Sequence, residues 1–275
     1  GTTPRKEGDQ PHIVSGLFNG YTTGSPLTIE FLNENTRSSD YSSLEKHPRP
    51  SHADLVARQK WGGYNDPRGG GHFSGRITLG LVAAGVVAKK ILGSGVEFAT
   101  NIIEIGGCRD SQSFEKIIEQ AQRDQDSVGG IVECRIKGVA SSLGEPFFDS
   151  VESTAAHLLF SIPAIKGVEF GAGFEAAQMR GSEHNDMIID AQGHTQTNHA
   201  GGIVGGITNG NEIVVRASIK PTASISKEQA TYNFEHNAIE PLSIKGRHDA
   251  CIALRAAVVV EAAMAIALAD LKLRA

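Results

Sequence analysis

The chain has 275 residues, with 26 Lys and Arg against 31 Asp and Glu and a formal net charge of −5 at pH 7. No global basic field favours nucleic acid, and 6% aromatic residues are too few for stacking platforms along a single strand. The length suffices for one full core or two small ones. The cysteines Cys108, Cys134 and Cys251 form no C-x-x-C and leave an odd one, which points to reduced thiols in a cytoplasmic protein and away from zinc.

In chain order, His12 to Phe18 and Leu27 to Leu32 read as short strands joined by the turn-rich Asn19 to Gly24. Asn33 to Pro50 is polar and loop-like. The stretch from Arg49 to Arg76, RPSHADLVARQKWGGYNDPRGGGHFSGR, reads as a loop-rich site. It gathers Arg49, His52, Arg58, Lys60, Arg68 and Arg76, with Asp54 and Asp66 as its acids. Its Gly69-Gly70-Gly71 run lets backbone amides approach an anion or a flat ring. A solvated basic loop with a hinge is the competing reading. Arg76 to Leu92 follows as a helix, with Lys89 and Lys90 placed to complement its C-terminal dipole.

Val96 to Ile105 reads as a strand. A helix from Ser111 to Ala121 is capped by Ser111. Ile131 to Val139 alternates as a strand, Ser150 to Phe160 is helical by spacing, and Ile165 to Phe170 is another strand. The next residues, Gly171 to Ala176, match G-x-G-x-x-A, with Asp190 downstream. The helix that a dinucleotide site needs is cut short by Gly181-Ser182, so a glycine turn between strand and short helix is preferred. Gln192 to Gly210 is a glycine-rich loop. Its His194 and His199 lack a completed ligand set. Asn211 to Lys220 is a strand that Pro221 breaks. The most apolar segment, Ile252 to Leu271, forms the last helix, and Arg255, Glu261 and Asp270 within it argue against a membrane span. Two glycine-or-basic loops, each feeding an alanine-rich helix, hint at an internal duplication. The irregular alternation of elements favours α+β over a doubly wound sheet.

Four segments together resemble chorismate synthase. Arg49-Pro50-Ser51-His52-Ala53-Asp54 followed by Gly69 to Arg76 is similar to the family's RPGHAD and GGGRSSAR. Asn198 to Gly202 is similar to NNAGG, Lys220 to Ile225 carries a further match, and Gly246 to Cys251 is similar to GRHDPC. The matches keep family order and span nearly the whole chain. The opening residues read as the middle of a domain. Family members begin some tens of residues earlier with FGESHG-like and RRRPG-like motifs, which supply a histidine and arginines that this sequence does not contain.

The resemblance implies a single domain over residues 1–275, with helices sandwiched between two antiparallel sheets, and a homotetramer. It implies a 1,4-anti elimination of phosphate from 5-enolpyruvylshikimate 3-phosphate to give chorismate, with reduced FMN required and no net redox change. NADPH is a possible reductant. Arg49, Arg76 and Arg68 are then candidates for the substrate's carboxylates and phosphate, because guanidinium forks bind such oxygens in pairs. His52 resembles the histidine beside the departing phosphate, and a loop hydrogen bond to Asp54 is its plainer role. The flavin falls to His72, Phe73, Ser74, Ala164, Gly205, Lys220, Pro221, Thr222, Ala223, Ser224 and Arg247. Asp249 resembles the acid that helps the flavin take up the substrate proton, and a simple ion pair is its plainer role. His72 stands where the family has arginine, and Pro163 where it often has asparagine. A nicotinamide-dependent oxidoreductase using Gly171 to Ala176, and an anion-binding scaffold, are the rival readings.

Overall fold

A computed structural model of the chain describes residues 8–32, 44, 46–66, 72–244 and 248–275. In chain order its strands and helices are β1 (His12–Ser15), β2 (Leu17–Phe18), β3 (Tyr21–Thr22), β4 (Thr28–Glu30), α1 (Asp54–Lys60), α2 (Leu79–Leu92), β5 (Glu97–Ile105), α3 (Phe114–Arg123), β6 (Gly130–Lys137), α4 (Val151–Ser161), β7 (Ile165–Phe170), α5 (Gly181–His184), β8 (Ile203–Val204), β9 (Ile207–Thr208), β10 (Ile213–Ile219), β11 (Gln229–Asn233), β12 (Ala238–Leu242) and α6 (Ala253–Arg274). All strand pairings are antiparallel. The mixture of helices and antiparallel sheets is the α+β class expected from the irregular alternation.

The described residues group into two compact units: Ala84–Thr222 with Asp249–Ala275, and the chain up to Ala83 with Ala223–His248. The first unit is built on a four-stranded sheet of order β5-β6-β10-β7. Strand alternation sends Val132, Cys134 and Ile136 of β6 into the core beside Ala217, Val215 and Ile213, their register partners on β10. Helices α4 and α6 pack against each other and against this sheet. Several side chains pointing the other way are charged, among them Glu133 and Arg135 of β6 and Arg216 of β10. Arg216 Nε donates to Glu133 Oε2 at 2.8 Å directly across the ladder, and Arg135 Nε donates to Glu133 Oε1 at 2.7 Å. Partial burial raises the Glu133 carboxyl, but these bonds outweigh it and hold the group below the usual carboxylate range.

Helix α6 is the centre of this unit. Ala262, Ala263, Met264 and Ala265 are buried in succession, as are Ala267, Leu268 and Ala269. A helix apolar on every side must be surrounded, and its alanines permit close approach. The contact with α2 is so tight that a Cβ on Gly85 would lie 2.5 Å from Ala262 Cβ and 2.7 Å from its Cα. Lys272 Nζ donates to the carbonyls of Ile91 and Leu92, both at 3.0 Å, satisfying the last turn of α2.

Two helix starts differ from expectation. Asp110, not Ser111, is the cap before α3: its carboxylate accepts from Gln112 N at 3.1 Å and Ser113 Oγ at 2.7 Å, which closes a 3-10 turn over Ser111–Ser113. The helix expected from Arg76 begins with a 3-10 turn, Gly75–Thr78, and becomes α-helical at Leu79. Ser150 caps α4, accepting from Ser153 N at 3.0 Å. The glycine turn after β7 carries no dinucleotide fold. The neighbour of β7 is the antiparallel β10, and Ala172 N donates to His199 O at 2.7 Å, so the loop of residues 198–202 occupies the space beside the turn.

In the second unit, β1 pairs with β4 through a bulge, β2 and β3 form a hairpin about Asn19-Gly20, and β11 pairs with β12. Tyr232 and Phe234 meet edge to face, 5.0 Å between centroids. Helix α1 and the β11–β12 hairpin were not anticipated. Among the described residues no helix is long and apolar enough to cross a membrane.

The α2–α6 contact yields a direct test. Alanine is the better helix former by about 1 kcal/mol, yet Gly85→Ala forces backbone apart. We expect it to lower stability by about 1–3 kcal/mol, the scale of overpacking. Chemical denaturation measures this, and a variant as stable as the parent would show that the two helices separate freely.

Candidate functional site

The turn before α1 assembles a charged cluster from one short motif. Ser51 adopts φ +58°, a left-handed conformation, and His52 N donates to Arg49 O at 3.3 Å. The chain thus doubles back, and Arg49, His52 and Asp54 face one another. Arg49 Nε donates to Asp54 Oδ2 at 2.8 Å and Nη2 to Oδ1 at 2.7 Å, a bidentate pair. Arg49 N adds a bond to Oδ2 at 3.1 Å. His52 Nδ1 lies 2.7 Å from Oδ1. Arg49 Nη2 also approaches Nδ1 at 3.0 Å. With the carboxylate as acceptor, Nδ1 is a donor, so that approach is two donors converging on one oxygen.

Arg49 is only 7% exposed, and its remaining Nη1 donates to Ser224 Oγ at 2.8 Å. Ser224 is itself buried and lies 175 residues away in sequence. The competing reading of a solvated basic loop does not hold at Arg49, which is buried because Asp54 neutralises it and Ser224 takes its last fork. Burial of Asp54 raises its carboxyl, but the bonds from Arg49 and His52 outweigh that and hold it well below the usual carboxylate range.

Further along the same unit, Ser74 Oγ accepts from Arg76 N at 3.2 Å and caps the 3-10 turn. The Arg76 guanidinium pairs with Asp9 at 2.5 Å. Phe73 packs at a tilt on Trp61, with 6.0 Å between ring centroids. His72 opens this segment as an exposed residue. Arg68, the Gly69-Gly70-Gly71 run and Arg247 lie outside the described residues. An open cleft of about 570 Å³ lies on α1, lined by Leu55, Arg58, Gln59, Lys46, Phe234 and Glu235 among others. None of the expected site residues lines it.

In the first unit, Ala164 adopts φ +76° and its carbonyl accepts from Lys220 N at 3.0 Å. Thr222 Oγ1 donates to Asp249 O at 2.9 Å, and Thr222 O accepts from Ser127 Oγ at 2.8 Å. Residues 164, 220–222 and 249 therefore share one neighbourhood, with Pro221 between Lys220 and Thr222. Gly205 does not. It sits in the β8–β9 turn, whose Gly206 O accepts from Val151 N at the start of α4, whereas Ala164 follows the end of that helix. The two are separated by a helix length of roughly 16 Å. Ala223 and Ser224 continue the Lys220 run into the second unit. Asp249 pairs with Arg255 at 3.3 Å, within an otherwise largely buried side chain.

Several partners were missed. Asp54 was legible, two residues from His52 in the same motif. Arg255 sits in the first turn of α6, six residues after Asp249, and was read only as an obstacle to membrane insertion. Nothing in the sequence links Asp9 with Arg76 or Trp61 with Phe73. Cys134 and Cys251 are fully buried, and burial pushes the Cys134 thiol up to about 12 and the Cys251 thiol upward. Neither is a nucleophile.

The Asp54 geometry fixes a pH dependence. A folded-state carboxyl held below its unfolded value adds stability above the unfolded pKa of about 4, and that stability is lost as pH falls toward the folded value. Asp54→Asn also leaves a buried guanidinium half-paired, and we expect a loss of about 3 kcal/mol at pH 7. Denaturation from pH 7 to pH 2 should show parent and variant converging in acid. A constant gap would assign the loss to packing. Ser51 supplies a control: Ser51→Gly should be neutral or stabilising, whereas the β-branched Ser51→Val should cost about 1–2 kcal/mol.

A sequence model of the family described as chorismate synthase matches residues 1–273. The chorismate synthase of Chitinophaga pinensis is 62% identical over 273 residues, covering 99% of this chain and 81% of that protein. The chorismate synthase of Korarchaeum cryptofilum is 46% identical over 293 residues, covering 97% and 81%. A solved structure titled "Crystal Structure of Chorismate Synthase" superposes with a TM-score of 0.72 at 28% identity, covering 96% of this chain and 78% of that one. The family model spans nearly the whole chain, and the chain belongs to the chorismate synthase family, which are carbon–oxygen lyases.

Proposed function

We propose that the protein catalyses the 1,4-anti elimination of phosphate from 5-enolpyruvylshikimate 3-phosphate to give chorismate, with reduced FMN as cofactor. A ring C–H bond and the C–O bond to phosphate break, the proton and phosphate depart, and the electron pairs shift into a new ring double bond. No oxidant is consumed. The observation that carries the reading is the His52 imidazole, pinned by Asp54 and only partly exposed, with a side-chain relative exposure of 21%.

His52 supplies the charge or proton that the leaving phosphate needs, since imidazole changes protonation near neutral pH. Arg76 and Arg68 are assigned to the substrate's anionic groups. Arg49, assigned with them, acts mainly through the turn that it holds together. The residues assigned to the flavin fit it in kind. Phe73 is a partly exposed ring seated on Trp61, suited to a flat apolar surface. Ser74, Thr222 and Ser224 carry hydroxyls, Lys220 a cation, and the left-handed Ala164 a turned backbone. When bound, the reduced flavin supplies the electron-rich partner that assists loss of the ring proton. Asp249, paired with Arg255, is assigned the role of taking up that proton. The protein acts as a cytoplasmic homotetramer of single-domain subunits, with NADPH or an outside reductant renewing the flavin. Sedimentation tests the assembly: a stable monomer at micromolar concentration counts against it.

His52→Ala should keep the fold and FMN binding and lower turnover by roughly 10²–10⁴-fold, the scale for a positioned acid or base. Near-normal turnover at saturating flavin and substrate removes its role. Asp249→Asn should bind both ligands almost normally and turn over at least about tenfold more slowly, with a larger deuterium isotope effect at the lost ring hydrogen. Parent-like turnover in that variant returns Asp249 to the ion pair with Arg255.

A further inference from the structure

The turn after α3 closes on two segments at once, the Lys220 run and the start of the Asp249 turn. Past Ile219 the chain leaves the ladder of β10, and Pro221 has no N–H to donate. The run is held instead by separate bonds: Lys220 N to Ala164 O at 3.0 Å, Thr222 Oγ1 to Asp249 O at 2.9 Å, and Ser127 Oγ to Thr222 O at 2.8 Å. The residue after Ser127 reaches the second segment, for Val128 N donates to Ala250 O at 2.8 Å. Two consecutive residues thus clasp segments that lie 27 residues apart in sequence.

The clasp is itself anchored at both ends. On the α3 side, Asp126 N donates to Ala121 O and Asp126 Oδ1 accepts from Ser127 N, both at 2.9 Å. On the sheet side, Gly129 O accepts from Gly106 N at 3.0 Å, and Gly130 is already paired with Ile105 in the β5–β6 ladder. The clasp lies hard against the run: a Cβ on Gly129 would sit 2.5 Å from Ile219 O and 3.2 Å from Pro221 Cδ. The Ser127 hydroxyl therefore ties Thr222 to a fixed frame, and Thr222 in turn holds the backbone of Asp249.

We propose that Ser127 is a positioning residue for the flavin site, acting through Thr222 and Asp249. The inference rests on the assignment of Lys220, Pro221, Thr222 and Asp249 to the flavin. What that site needs is alignment. The run that holds the cofactor and the residue that takes up the proton must keep one spacing, and a displacement of about 1 Å can cost on the order of 10²-fold in rate. The coupling is also reciprocal: if the clasp orders the run for the flavin, the flavin stabilises the clasp by the same factor. A plain tie between loops, serving stability alone, predicts neither effect.

The experiment is anaerobic titration of the full chain with reduced FMN, together with steady-state kinetics. Ser127→Ala deletes the hydroxyl and adds no volume. It should weaken reduced FMN about 3–10-fold, the scale of one hydrogen bond. At saturating flavin its kcat should fall about tenfold, the scale for an orienting partner, with the substrate KM within about threefold. Ser127→Thr keeps the hydroxyl and should restore both. Parent-like flavin affinity and kcat in Ser127→Ala overturn the proposal, whatever the thermal stability of that variant. A substrate KM that rises as much as the flavin Kd overturns it, and so does a Ser127→Thr protein as impaired as Ser127→Ala. If Ser127→Ala does not fold, hydrogen exchange on the parent decides. Reduced FMN should slow exchange at the Val128 amide, and an unchanged rate overturns the proposal. The two levels of failure are separable. A parent that neither binds reduced FMN nor turns over sinks the proposed function, whereas an active parent beside an unimpaired Ser127→Ala sinks only the positioning role.

Discussion

Helix α6 sets the terms for the unit around it. Its buried positions run consecutively from Ala262 to Ala265 and from Ala267 to Ala269, so along this stretch little of any face is left for water, while Leu254 and Val258 nearer its start are exposed. Protein covers that stretch from several sides: the sheet through β5 and β6, helix α4, and helix α2. The small side chains let these neighbours come to backbone distance, and Gly85 opposite Ala262 is the extreme case. The charged groups at its edges, Lys89 with Glu261 and Lys272 with the end of α2, are placed where their heads find partners. Lys89 also lies over the Phe98 ring at 5.0 Å.

The site obeys the opposite rule. There a charge is buried, and the surroundings are arranged to repay its desolvation. Arg49 is tolerable inside because Asp54 meets it in two bonds and Ser224 in a third. The left-handed Ser51 belongs to the same arrangement, since it is the reversal that brings the carboxylate back to the arginine and histidine. Strain at one residue is held by the bonds that it makes possible. The chemistry proposed for His52 thus depends on a turn and an ion pair more than on the imidazole itself.

The opposite face of the four-stranded sheet shows how the same charges behave at a partly wet surface. Glu133 sits between Arg135 and Arg216, and Arg135 reaches on to Glu212 at 2.9 Å. Here the pairs line up because register places Arg216 directly across from Glu133. They are a consequence of the ladder, whereas the Arg49–Asp54 pair is a cause of its turn.

Much of the fold was legible because periodic burial leaves a periodic sequence. The alternation in Ile131 to Val139 and the apolar spacing of Ser150 to Phe160 located β6 and α4 within a residue or two. The rejection of a dinucleotide site at Gly171 also followed from sequence, since Gly181-Ser182 left no room for its helix. Helix α1 was hidden among the cations of its stretch, although Asp54 at its start and Arg58 and Lys60 at its end are ordinary helix signals. The β11–β12 hairpin was missed because its strands are short and one contains Pro241. The expected cap Ser111 gave way to Asp110, whose two carboxylate oxygens accept from Gln112 N and Ser113 Oγ.

The chain by itself determined its family and its α+β class, because those are properties of residue types in a fixed order. It could not decide what Arg49 does. A guanidinium in a motif beside a histidine reads equally as a ligand for substrate or as a brace. That choice depends on whether Ser224, 175 residues on, and the carboxylate of Asp54 occupy its forks. The same holds for Asp249 and its pairing with Arg255, and for the helix length that separates Gly205 from Ala164. Hydrogen bonds are directional and short, so partnership is fixed by where the folded backbone puts each atom, and only the tertiary structure specifies that.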